Sequence, residues 1–186
     1  KPAYSKNTVG YLTVPGVDVT DEPILQHPTD DDYYLTHNEF DRESIWGAYF
    51  VPSEWNVSNV DDMYRVTVIF GHSNGNSMHK KFSVLKYFRD VNFAKEHRYI
   101  YLTLGEQQTR WKIFAVADYP IDPSYTIANP DDSYFLTEIA SMKAYSYNQY
   151  ATEVGLNDKV LILSTCSGSD NYDTRFIVCA KLDQVF

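Results

Sequence analysis

VLILSTCSGSDNYDTRFIVCAKL, Val160 to Leu182, is the stretch from which the rest of the chain is read. Two apolar runs, Val160 to Leu163 and Phe176 to Leu182, flank a polar loop of Ser, Gly, Asp, Asn and Tyr, which is the composition of a turn between two strands. Turn chemistry does not account for everything in it. Cys166 stands at the exit of the first run and Arg175 at the entry of the second, and a thiol facing a guanidinium across a short loop has the composition of a reaction site.

Working outward, further runs have the alternating or continuously apolar pattern of strands: Val9 to Val14, Trp46 to Val51, Tyr64 to Phe70, Tyr99 to Leu104 and Arg110 to Ala117, with the first pair extending to Lys159–Ser164 and Arg175–Leu182. In Tyr64 to Phe70 the spacing puts Tyr64, Val66, Val68 and Phe70 on one face, with Arg65 and Thr67 on the other. One segment reads clearly as helix. Asn129 is its expected cap, Pro130 its first helical residue, Asp131 and Asp132 its acidic first turn, and Phe135, Ile139 and Met142 its buried stripe. Shorter helical turns are expected near Asp32 to His37 and within Phe82 to His97. No repeat, low-complexity tract or linker divides the chain, so residues 1–186 read as a single domain of mainly β structure.

Composition excludes several functions. At 44% hydrophobic and 22% charged, the sequence is that of a globular domain, and it lacks the ~18 unbroken apolar residues of a membrane span. Any export signal or anchor is expected upstream of Lys1. A net charge of −9 argues against a nucleic-acid partner. Cys166 and Cys179 lack CxxC or Cys/His metal spacing, and Asp30-Asp31-Asp32 is explained by a helix start, so no metal or cofactor is expected. The 16 tyrosines and 10 phenylalanines suit aromatic sheet faces, and they equally suit a carbohydrate-binding or adhesin module.

A thiol becomes a useful nucleophile beside a base, and histidine is its usual companion. His27, His37, His79 and His97 sit in turns or charged segments, whereas His72 follows Gly71 directly at the end of an apolar strand, the same kind of place that Cys166 occupies. Each residue has an ordinary reading: a buried small thiol, a structural imidazole, a surface ion pair. Together, His72, Cys166 and Arg175 at strand ends suit acyl transfer through sulfur. A papain-type hydrolase would place its Cys early and at a helix start, and an L,D-transpeptidase would place Arg almost adjacent to Cys in an SHGC-type segment.

These residues match a known pattern. LSTC at Leu163 to Cys166 resembles the end of the TLxTC motif of the class B sortases, the membrane-anchored cysteine transpeptidases of Gram-positive bacteria, and IFGHS at Ile69 to Ser73 resembles their histidine segment. TVGYLTVPG from Thr8, DDYYLTHNEF from Asp31, WGAYFV from Trp46, GNSM from Gly75 and FAVADYPID from Phe114 resemble class B sequence in the same order, over essentially the whole chain. Ile162 stands where the motif has its Thr, and Phe70 where Tyr often precedes Gly-His.

The resemblance implies a sortase-type β-barrel of about eight strands with N-terminal helical additions and a helix in the β6/β7 loop, here Asp118 to Asp158. It implies Cys166 as nucleophile, His72 as proton carrier, Arg175 as oxyanion and substrate holder, and Leu35, Tyr125, Thr126, Ser164 and Thr165 as groove residues. The implied partners are surface proteins bearing a sorting motif (NPxTG, NPxTN or SPxTG-like), a peptidoglycan cross-bridge amine, and the membrane through an upstream anchor. The implied place of action is the extracellular face of the membrane. Cys179, alternating with Ile177, is expected to be buried structure.

Overall fold

The computed structural model describes residues 3–73, 80–121, 123–165 and 173–186. GNSM from Gly75, His79, Cys166 and the loop after it lie outside the described residues. Eight strands close into a barrel: β1 (Thr8–Val14), β2 (Val19–Leu25), β3 (Tyr49–Phe50), β4 (Val66–Gly71), β5 (Tyr99–Leu104), β6 (Gln107–Pro120), β7 (Val160–Thr165) and β8 (Thr174–Val185). Around the barrel the order is β1-β2-β3-β4-β7-β8-β6-β5, and β5 returns to β1 through the pair Leu12–Leu102.

Strands β4 and β7 are parallel, in register from Val66–Val160 to Gly71–Thr165. A parallel pair at the middle of a closed sheet is covered on both faces, which is why both strands are continuously apolar. The expected alternation holds, with Val66 and Val68 in one core beside Tyr64 and Phe70 and Ile69 in the other, and both faces are covered: Thr67 is 2% exposed and Ile69 1%. Leu161, Leu163, Val178 and Ala180 point into the barrel with Leu12, Ile24 and Trp111. Their alternates Val160, Ile162, Ile177 and Cys179 point outward, into a second core completed by a helix.

That helix, α2 (Asp132–Tyr145), lies between β6 and β7 and buries Phe135, Ile139 and Met142 on the barrel, each contributing about 1.5–3 kcal/mol by the area it removes from water. It follows the short α1 (Val91–Glu96). Its cap differs from the expectation: Asp131 accepts from Tyr134 N at 2.8 Å, and Pro130 stays outside the helix. Asn129 is occupied elsewhere, its Oδ1 accepting from Arg65 N at 3.0 Å. The Arg65 guanidinium then donates to Pro130 O (3.1 Å), Asp132 (2.8 Å) and Leu156 O (3.2 Å) and lies over the Phe135 ring. One arginine beside the barrel thus ties the start of α2 to the end of the insert.

Other expectations need correction in their limits. Trp46 to Val51 shortens to β3, because Gly47 adopts φ +56 and ends the extended run. Strand β2, VTDEPIL, went unanticipated. The helical turn near Asp32 is a 3-10 turn at Tyr33–Leu35, and Phe82 to His97 divides into a 3-10 segment, Lys81–Arg89, and α1. Asp90 separates the two with an extended ψ of 126° and caps α1 through Asn92 N and Phe93 N.

Candidate active site

The register of the sheet gathers the site at one end of the barrel. Gly71 and Thr165 are ladder partners at the ends of β4 and β7, so the next residue on β4 is His72 and the next in sequence after Thr165 is Cys166, outside the described residues. Arg175 enters at the start of β8, opposite Tyr119 near the end of β6. Thr165 stitches β7 to β8: its Oγ1 accepts from Phe176 N at 3.0 Å.

Between these ends lies a groove of about 310 Å³ lined by Asp31, Asp32, Leu35, Phe50, Pro52, Phe70, Tyr125, Thr165 and Arg175. Four residues named from the sequence, Leu35, Tyr125, Thr165 and Arg175, therefore meet in one concavity. Its apolar wall is Leu35, Phe50, Pro52 and Phe70, with the Phe50 and Phe70 rings stacked at 5.6 Å. The Asp31 carboxylate is held by Ser53 N at 2.7 Å. Arg175 is half-buried and donates from Nη1 to Thr174 O at 3.1 Å.

His72 is held from the side of the 3-10 turn. Its Nε2 lies 2.5 Å from Leu35 O. A carbonyl oxygen only accepts, so Nε2 carries the hydrogen, and in the neutral ring Nδ1 is the basic nitrogen. Phe82 N fixes the His72 backbone by donating to its carbonyl at 2.9 Å.

Ser164 and Thr126 are placed differently from the other four. Ser164 is fully buried behind the groove, its Oγ 3.2 Å from Tyr125 Oη, so it braces the tyrosine. Thr126 ends the 3-10 turn Pro123–Thr126, next to Tyr125, and is not among the groove's lining residues. Tyr119 braces the same wall: its ring meets Tyr125 edge-on, and its hydroxyl sits 3.0 Å from Glu138 and 2.8 Å from Ser141 of α2. Burial first, then Glu138, pushes the Tyr119 phenol up to about 12.

Sequence reasoning missed Asp31, Asp32, Phe50, Pro52 and Phe70 as groove residues and Gly47 beneath His72. Only the alternation that puts Phe70 at the end of β4 could have pointed to one of them. Cys179 is a free, fully buried thiol, and burial raises its pKa well above the ordinary value. Among the described residues no group of three or more His, Cys, Asp or Glu is arranged to hold a metal, and no helix is long and apolar enough to cross a membrane. A smaller cavity of about 110 Å³, bounded by Arg98, Lys112 and Tyr150, lies toward the other end of β6 and contains none of the residues named above.

No family model matches the chain. Sortase B of Listeria monocytogenes is 28% identical over 180 residues, spanning 96% of this chain and 70% of that protein. The solved structure of sortase B from Listeria monocytogenes superposes with a TM-score of 0.81 at 27% identity, covering 95% of each chain. A Staphylococcus aureus sortase B–substrate complex superposes with a TM-score of 0.84 over 97% of this chain and 82% of that one, and at 20% identity it bears on the fold alone. The chain is thus similar to the sortase B enzymes along nearly its whole sequence and in its closed barrel.

Proposed function

We propose that this sortase homologue is a cysteine transpeptidase that cleaves a sorting motif after Thr and joins the new carboxyl end to a cell-wall amine. The observation that carries the reading is the groove at the barrel end, where Arg175, Thr165, Leu35 and Tyr125 meet beside His72. Cys166, next in sequence after Thr165, is the nucleophile in this reading.

Cys166 gives its thiol proton to His72 Nδ1, and the resulting thiolate attacks the Thr carbonyl, forming a C–S bond and an oxyanion that the Arg175 fork of N–H donors stabilises. Collapse breaks the amide C–N bond, and the departing amine takes a proton from His72. An incoming amine then attacks the thioester, His72 recovers the proton, the new C–N bond forms and the C–S bond breaks. With Nε2 committed to Leu35 O, these transfers run through His72 Nδ1. A thiol suits the site better than a hydroxyl, since thiolate forms with less help from a base.

The partners follow from the same chemistry: surface proteins bearing the motif, and a glycine-like amine of the cell wall. A sortase B of Staphylococcus aureus has been solved as a complex with substrate. Sortases act at the cell surface, and an anchoring segment outside the present chain would hold this domain at the outer face of the membrane. For the motif we favour a polar first residue, as in NPxTG, NPxTN or SPxTG, with Thr126, Ser164 or backbone groups of the insert as hydrogen-bonding partners. Incubation with NPQTN, SPKTG and LPETG peptides and a glycine amine, followed by mass spectrometry, tests the reading. Cleavage after Thr with transfer to the amine is expected, strongest for the polar-first peptides. Preference for LPETG would overturn the motif, and no acyl transfer to any peptide would overturn the function.

A further inference from the structure

Gly47 occupies a position in which a side chain has no room. Its φ is +56, in the left-handed region, and a Cβ there would stand 2.2 Å from Tyr34 O, 3.0 Å from Leu35 O and 3.0 Å from His72 Cδ2. Two of these three atoms are successive backbone carbonyls, and the third belongs to the ring that Leu35 O holds.

The carbonyls have little freedom to move aside. Tyr34 is 1% exposed, and its hydroxyl lies 3.2 Å from Ser5 Oγ, 3.0 Å from Asn7 Nδ2 and 2.9 Å from Asp41 Oδ1. Its carbonyl accepts from Ala48 N at 3.0 Å, and Ser44 N donates to Thr36 O at 2.8 Å, so the 3-10 turn is laced to the Ser44–Ala48 segment on both sides of Gly47. The Tyr34–Leu35 backbone thus lies close against Gly47, where Leu35 O reaches His72 Nε2.

We propose that Gly47 is a positioning residue for His72: by letting the Tyr34–Leu35 carbonyls close onto the ring, it holds the proton on Nε2 and leaves Nδ1 to work in acyl transfer. A side chain at Gly47 lifts Leu35 O away, and the bond that holds the hydrogen on His72 Nε2 is lost. The kinetic consequence rests on the transpeptidase reading. The effect on the ring does not.

The structure provides its own control. Gly105, in the turn between β5 and β6, has φ +58, yet a Cβ there would meet nothing within 4 Å. Gly105→Ala therefore imposes the same backbone strain as Gly47→Ala without the collision.

The experiment compares the full chain, Gly47→Ala and Gly105→Ala by two measurements: kcat and KM for the best sorting-motif peptide with a glycine amine, and the ring ¹⁵N shifts of His72, assigned by their loss in His72→Gln. Gly47→Ala is expected to lose about 10²-fold in kcat with KM changed little, the size of effect of a misplacement near 1 Å, and to lose the Nε2–H tautomer. Gly105→Ala is expected to keep both. The proposal is overturned if Gly47→Ala keeps the native kcat and tautomer, or if Gly105→Ala loses as much as Gly47→Ala. Should Gly47→Ala fail to fold, the native ring decides: an Nδ1–H tautomer overturns the proposal, and an Nε2–H tautomer supports it. If the native protein turns over no peptide, the transpeptidase reading fails, and the ring shifts still report on Gly47.

Discussion

Phe176 N–H donates to Thr165 Oγ1 at 3.0 Å, a buried side-chain bond that replaces a ladder bond where β7 and β8 begin to part. Arg175 is the residue before one partner, and Cys166 follows the other in sequence. Thr165→Val keeps the shape and orphans the buried N–H, which costs about 1–3 kcal/mol. The expected outcome is a lower urea midpoint together with reduced turnover. A variant with native stability would show that water or another acceptor replaces the hydroxyl.

The two thiols should separate cleanly on alkylation. Cys179 is fully buried, and burial raises its pKa, so it is expected to resist iodoacetamide until the protein is unfolded. Native protein should gain a single adduct, at Cys166, with loss of transfer activity. Cys166→Ala should abolish activity and leave the fold intact. Cys179→Ala should keep activity and cost about 1 kcal/mol through lost packing. An inactive Cys179→Ala with an active Cys166→Ala would reverse the assignment.

Arg175→Lys preserves charge and removes the planar fork of donors. If Arg175 stabilises an oxyanion, the loss in kcat is on the order of 10²-fold or more, as for removal of an oxyanion donor elsewhere. Turnover near the native level would reduce Arg175 to a charge at the rim of the groove.

Alkaline pH should loosen the packing of α2 on the barrel. Burial raises the phenols of Tyr119 and Tyr150 to about 12 from an ordinary value of 10.0, so the folded state holds these protons more tightly than the unfolded chain does. Their contribution to stability is complete below pH 10 and disappears as pH rises through about 12. Urea midpoints measured from pH 9 to 12 should fall across that window, and less steeply in Tyr119→Phe. A midpoint that stays level would mean that these phenols titrate alike in the folded and unfolded chain.

Several features of the chain were legible because they depend on neighbours in sequence. Period-two and continuous apolar runs marked β1 and β4 to β8, and the spacing of Phe135, Ile139 and Met142 marked the buried face of α2. His72 and Arg175 could be singled out because each stands where an apolar strand meets a polar loop. Strand β2 escaped notice because VTDEPIL carries two acids and a proline. It tolerates Pro23 because β3 reaches only Ile24 and Leu25, leaving the rest of β2 at an edge.

Local patterns along the chain carry the strand and helix types, the residues with chemistry to offer and, through the motifs, the family resemblance. Which helix cap is used, how His72 is held and what lines the groove were decided only by the tertiary structure. Asn129 has the composition of a cap, and only the arrival of Arg65 diverts it and leaves the task to Asp131. The partner of His72 Nε2 is a backbone carbonyl 37 residues earlier, and the glycine that admits it lies on a third segment. Every residue has a carbonyl, so no residue type announces such a contact. It exists only because barrel closure brings three distant segments to one point.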